Sequence, residues 1–139
     1  MQKKINSLEN RKESYKTSKN VLISFKYAFS GIYYVFKTSR NFKIQLIFAL
    51  TSLLIGFFLQ ISLSNYVILI STIMSVLILE ILNTSIESIV DLVVKKEFSS
   101  LAKISKDTSA GAVLLASINS VIIAVYIFFP KIKLLFESI

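Results

Sequence analysis

Four polar side chains interrupt an apolar run in LEILNTSIESIVDLVVKK, residues 79–96: Glu80, Asn83, Glu87 and Asp91. On a helix turning about 100° per residue, the last three fall at about −60°, −20° and +20° from Glu80, so one narrow face carries all four. Carboxylates at that spacing can take a proton from a hydroxyl or hold a hard divalent cation through oxygen. Depth separates the two roles. Measured from Asn65 as one membrane surface, Glu80 lies about 22 Å along the helix, Glu87 about 33 Å and Asp91 about 39 Å. In a hydrocarbon core of about 30 Å, Glu80 is inside the border, Glu87 at it and Asp91 just beyond. Glu80 is therefore the candidate general base, Glu87 the candidate ligand for a nucleotide-borne Mg²⁺, and Asn83 a group that orients either.

A carboxylate at membrane depth costs at least about 2.5 to 3.5 kcal/mol on insertion scales, and residues 44–94 contain no Lys or Arg to pair with it. An inert carboxyl bonded to Asn or Ser on another helix would explain a lone Glu. It does not explain an ordered polar face. A nucleotide site also needs positive charge and amide donors, and SKDTSAGAVLL, residues 105–115, offers both. Ser105 is the expected N-cap of a helix, with Lys106 beside free N–H groups and Lys95, Lys96 and Lys103 adding to the field. Taken alone, Lys106 reads as an interfacial snorkelling lysine. The chain has no Gly-rich Walker loop, which excludes a P-loop enzyme.

The elements that position these residues are membrane helices. Of 139 residues, 54% are hydrophobic, and there is no Cys or His. That excludes thiolate and imidazole chemistry and leaves carboxylates, hydroxyls, Lys and Arg. The net charge of +8 is clustered: ten of sixteen basic residues lie at or before Lys43, and four lie between Lys95 and Lys106. Such clustering marks the cytoplasmic flanks of membrane segments, not a nucleic-acid groove. No signal peptide is visible in the polar first twenty residues, so the expected location is the plasma membrane.

Thirty-six uncharged residues separate Lys43 from Glu80; as one helix they would run about 54 Å, so two spans must be joined inside them. The polar patch QISLSN, residues 60–65, is the expected turn, and Pro130 the expected end of the third apolar block. The reading is an all-α integral membrane protein with spans at about 44–61, 66–94 and 108–129. A basic tail over 1–18 reads as disordered. An amphipathic helix over 19–40 reads as interfacial, with apolar residues three and four apart and lysines between them. Ala112, Ala116, Ser120 and Ala124 form a small-residue stripe suited to close helix packing.

EILNTSIESIVD, followed fifteen residues after Asp91 by KDTSAGAVLL, closely resembles the two signature segments of the small prokaryotic diacylglycerol kinases. SFKYAFSGIYYVFK and RNFKIQL extend the resemblance over about residues 24–136. The spacing and the AGAVLL ending look most like the Gram-positive members, regarded as undecaprenol kinases. The resemblance implies a three-span homotrimer, with sites built between subunits, that moves the γ-phosphate of MgATP to a lipid hydroxyl at the cytoplasmic face. By match of motif, Glu80 is the catalytic base, Glu87 a metal ligand that also contacts ATP, and Asn83 and Asp91 supporting residues. Tyr27, Lys106 and Asp107 match nucleotide contacts. One position departs: where the family usually has a second metal-binding Glu, this chain has Ser39 in TSRNF. Asp91, Glu97 and Asp107 are the candidates to replace it. A catalytically silent trimeric scaffold or lipid binder is the runner-up, and a proton-coupled exporter using Glu80 is a weaker third.

Overall fold

The computed structural model describes residues 21–95 and 97–137, and is helical throughout apart from short connections. Its helices are α1 (Val21–Thr38), α2 (Arg40–Phe58), α3 (Leu63–Val94) and α4 (Ser100–Glu137). The expected tail over 1–18 and the first two residues of the expected 19–40 helix lie outside the described residues. Contacts divide the chain into two units, Met1–Tyr34 and Val35–Ile139. In the first, residues 21–34 are a helix with apolar side chains such as Leu22, Phe25 and Phe29 exposed.

The second unit holds the three long helices, each long and apolar enough to cross a membrane. Ser39 separates α1 from α2 because it adopts an extended backbone, and its hydroxyl accepts the Phe42 N–H as the N-cap of α2. The α2–α3 turn is shorter than QISLSN. Helix α2 is capped at Leu59, Gln60 takes a positive φ of 50°, and Ser62 caps α3 by accepting the Asn65 N–H. Leu63 to Asn65 thus form the first turn of α3, since a Ser cap with an apolar residue after it starts a helix at once. Gly56 lets the hairpin close: a Cβ there would stand 2.9 Å from Ile61 Cδ1 and 3.3 Å from the Tyr66 hydroxyl.

Two expectations about α4 are corrected. It begins at Ser100, with Ser99 accepting the Ala102 N–H, so Ser105 is inside the helix and is not its N-cap. The amides around Lys106 are engaged in the helical ladder, because SLAKIS contains good helix formers and no breaker. Nor does Pro130 end the helix, which continues to Glu137. A proline removes one backbone donor, a loss that membrane helices accommodate locally.

Helix α4 packs mainly on α3, and α3 also packs on α2. The inward face of α3 repeats at spacings of four and three: Leu69, Ile73, Val76, Glu80, Asn83. This is a packing seam of the coiled-coil type. Ile61, Leu69 and Ile127 form the buried cluster at the turn end. Toward the other end the same seam changes from aliphatic to polar at Glu80. Of the small-residue stripe on α4, Ala116, Ser120 and Ala124 are half-buried while Ala112 is exposed.

Candidate functional site

Glu80 occupies a seam position of α3 and is only 2% exposed, the most buried polar side chain described. Two donors hold it, one from the N-cap residue of α2 and one from α2 itself. The Ser39 hydroxyl donates to Oε1 at 2.7 Å, and Gln45 Nε2 donates to Oε2 at 3.3 Å. Hydrogen bonds to a charged group contribute about 1.5 to 3 kcal/mol each, so two of them offset the insertion cost of a carboxylate near the membrane border. A carboxylate has about four lone-pair sites.

One turn further along α3, Asn83 is 7% exposed and links two groups. Its Oδ1 accepts from the Ser109 hydroxyl of α4 at 2.6 Å, and its Nδ2 donates to Glu87 Oε1 at 3.2 Å. The Ser109 hydroxyl also stands 2.9 Å from the Lys106 carbonyl, so its one proton faces two acceptors, and the Asn83 amide links it to Glu87. Asp91, on the next turn, forms an ion pair with Lys106 of α4. Both ends of that pair are substantially solvent-exposed, at 37% and 64%, so water screens it and it adds little to the fold.

Three cavities follow this ladder. One of about 270 Å³ is lined by Asn41, Gln45, Glu80, Asn83, Val113 and Ser117. A second, of about 410 Å³, shares Ile44, Gln45 and Ser117 with it and extends along apolar side chains to Ile73 and Ala124. It exists because Ser117, Ser120 and Ala124 are too small to fill the space between α4 and its neighbours. The third, of about 420 Å³, lies at the α3–α4 connection and includes Asp91, Glu97, Lys103, Lys106 and Asp107.

The residues singled out in the sequence are thus brought together in two groups. Glu80 and Asn83 line one cavity, and Asp91, Lys106 and Asp107 line another, with Glu87 tied to the first through Asn83. Tyr27 is exposed on α1, in the first unit. Ser39 has its hydroxyl proton committed to Glu80. Among the described residues, no group of three or more acidic side chains is gathered as a metal cage. The donor set nevertheless fits Mg²⁺ carried by a nucleotide, because such an ion takes one or two carboxylates and completes its shell with phosphate oxygens and water. Glu87 is the carboxylate available for it. Gln45 and Ser109 were missed by sequence reasoning, although Gln45 is the lone amide in the apolar run 44–59.

Comparison with known proteins agrees with these motifs. The family model for prokaryotic diacylglycerol kinase matches residues 26–128. A diacylglycerol kinase of Synechocystis sp. is 40% identical over 122 residues, covering 88% of this chain and 70% of that protein. An undecaprenol kinase of Bacillus subtilis is 39% identical over 109 residues, covering 78% of this chain and 88% of that protein. A diacylglycerol kinase of Escherichia coli is 33% identical over 96 residues, covering 69% and 78%. With its three membrane-competent helices and a buried carboxylate at the polar end of their seam, the chain belongs to the prokaryotic diacylglycerol kinase family, a family of lipid kinases.

Proposed function

We propose that this protein is an ATP- and Mg²⁺-dependent kinase that phosphorylates a membrane lipid alcohol, with undecaprenol the favoured acceptor, at the cytoplasmic face of a bacterial plasma membrane. The observation that carries the reading is Glu80, buried, doubly hydrogen-bonded and lining a cavity that shares residues with an apolar one. The lipid hydroxyl gives its proton to Glu80 as its oxygen attacks the γ-phosphorus, and the bond to the ADP oxygen breaks. Glu87 is the protein ligand for Mg²⁺, which when bound neutralises charge on the phosphates. Lys106 and Asp107 are the nucleotide contacts in this reading, and Asp91 is the group that Lys106 leaves to reach a phosphate. The acting assembly is a homotrimer with shared sites, and the α1 segment lies in the membrane interface.

The acceptor preference rests on the apolar cavity. Its Ser52, Ser117 and Ser120 hydroxyls all donate to backbone carbonyls of their own helices, leaving no hydroxyl donor for an ester carbonyl. A polyprenol presents only hydrocarbon below its hydroxyl and suits such a lining better than a diacylglycerol.

The test is transfer of radiolabelled γ-phosphate from ATP to undecaprenol and to diacylglycerol in mixed micelles, over a Mg²⁺ titration, with Glu80→Gln as the blank. Product on undecaprenol above diacylglycerol, absent from the blank, is the expected result. No product on either lipid, from a protein shown to be folded, would replace the kinase with a silent lipid-binding scaffold.

A further inference from the structure

Gln45 spends only half of its amide. Its Nε2 donates to Glu80, while its Oε1 is, among the described residues, the one buried side-chain polar atom without a hydrogen-bond partner. Buried acceptors are nearly always satisfied, and leaving one unpaired is costly. Reversing the amide does not help while Glu80 is a carboxylate, because oxygen would then face oxygen. Once Glu80 has taken a proton, the same place offers an O–H that needs an acceptor. The terminal torsion of a glutamine is broad and roughly two-fold, so a half-turn exchanges Oε1 and Nε2 without moving the rest of the side chain.

We infer that Gln45 is a positioning residue that serves both forms of the base: its N–H bonds the Glu80 carboxylate before proton transfer, and its turned carbonyl accepts the carboxyl O–H afterwards. This rests on the reading of Glu80 as the base. The proton moves from the lipid hydroxyl to Glu80 during transfer and from Glu80 to solvent before the next turnover, so no other reactant is required. Ser39 cannot make the same exchange as freely, because its hydroxyl oxygen also caps α2 by accepting the Phe42 N–H. A neutral amide is the side chain suited to this place, since a fixed cation or anion would favour one form of the base and hold back turnover.

The experiment compares full-length wild type with Gln45→Met, which keeps the length of the side chain but can neither donate nor accept, in detergent or bicelles. Infrared difference spectra locate the Glu80 carboxylate band by its loss in Glu80→Gln, and steady-state kinetics are measured in H₂O and D₂O. In Gln45→Met the carboxylate band shifts and kcat falls about 10- to 100-fold, the scale of an impaired acid–base step. The KM for MgATP stays within about twofold, and the solvent isotope effect on kcat rises because the protonated base has lost its acceptor. An unchanged band with unchanged kcat overturns the proposal. A shifted band with an unchanged isotope effect also overturns it, by reducing Gln45 to a carboxylate contact. Should Gln45→Met fail to fold, Gln45→Asn, which keeps the amide but cannot reach, is expected to move the band and the isotope effect in the same directions. A wild type that phosphorylates no lipid defeats the kinase reading, whereas the infrared arm still decides whether Gln45 holds Glu80.

Discussion

The hydroxyl of Ser39 stands 2.7 Å from Glu80 Oε1 and at the same time accepts the Phe42 N–H at 3.1 Å. One small side chain therefore starts α2 and holds the carboxylate on α3. In Ser39→Ala both bonds go. The lost cap should cost about 0.5 to 2 kcal/mol, read as a lower unfolding midpoint in detergent, and kcat should fall more than the KM for ATP. Ser39→Glu tests the other side of the same position. It restores a family ligand type and is expected to lower the Mg²⁺ concentration giving half-maximal activity. It also sets a like charge against Glu80, so its kcat should be below wild type. An unchanged Mg²⁺ curve would exclude position 39 from the metal shell.

Glu80→Gln should keep the fold and abolish turnover. The amide is nearly isosteric, it can still accept from Ser39, and it removes the one carboxylate that lines the smaller cavity among the described residues. General-base removal typically costs about 10² to 10⁴ in rate. Wild-type activity in the purified variant would remove Glu80 from the chemistry and leave it as a packing residue.

The polar face of α3 is legible in the sequence because helical periodicity alone aligns Glu80, Asn83 and Glu87, and the long uncharged run between Lys43 and Glu80 demands two spans. The partners of that face were not legible. Ser39 was read as a missing metal ligand, since sequence separation says nothing about which α3 side chain a residue 41 positions away will meet. Ser105 reads as a cap because serine is a favoured N-cap residue at the head of the third apolar block, yet Ser99 is equally good chemistry and comes first. Pro130 reads as a stop because its ring removes a backbone donor and crowds the preceding turn, a loss that membrane helices absorb by local adjustment.

Ser109 stands at one remove from Glu87, the proposed metal ligand. It donates to Asn83 Oδ1, and Asn83 donates to Glu87 Oε1. Losing such an outer partner typically costs about 10- to 100-fold in metal affinity. Ser109→Ala should accordingly shift the Mg²⁺ titration of activity to higher concentration while leaving kcat at saturating Mg²⁺ within a few-fold of wild type. A titration that superimposes on wild type would disconnect Asn83 from the metal.

Gly56 is a packing test remote from the site. In Gly56→Ala the new methyl meets the end of the Ile61 side chain, which can yield a little, and the cost should stay below about 1 kcal/mol. In Gly56→Leu nothing can yield enough, because Ile61 is itself in the buried cluster with Leu69 and Ile127. A loss of about 1 to 3 kcal/mol is expected from overpacking, measured by unfolding in mixed detergent. Equal stability of both variants would mean that the turn does not close on Gly56.

The ion pair of Asp91 with Lys106 sets two substitutions against each other. Lys106→Ala removes a cation from the cavity at the α3–α4 connection and should raise the KM for MgATP, with little change in stability because the pair is exposed. Asp91→Asn removes the competitor for the same ammonium. If Lys106 must leave Asp91 to reach a phosphate, this variant binds MgATP more tightly than wild type, and the gain disappears when Lys106→Ala is added. Weaker nucleotide binding in Asp91→Asn would instead make Asp91 the residue that holds Lys106 in place for the phosphate. Isothermal titration with a non-hydrolysable ATP analogue separates these outcomes, and repeating it at higher salt should shrink the Lys106 effect as screening of an exposed charge requires.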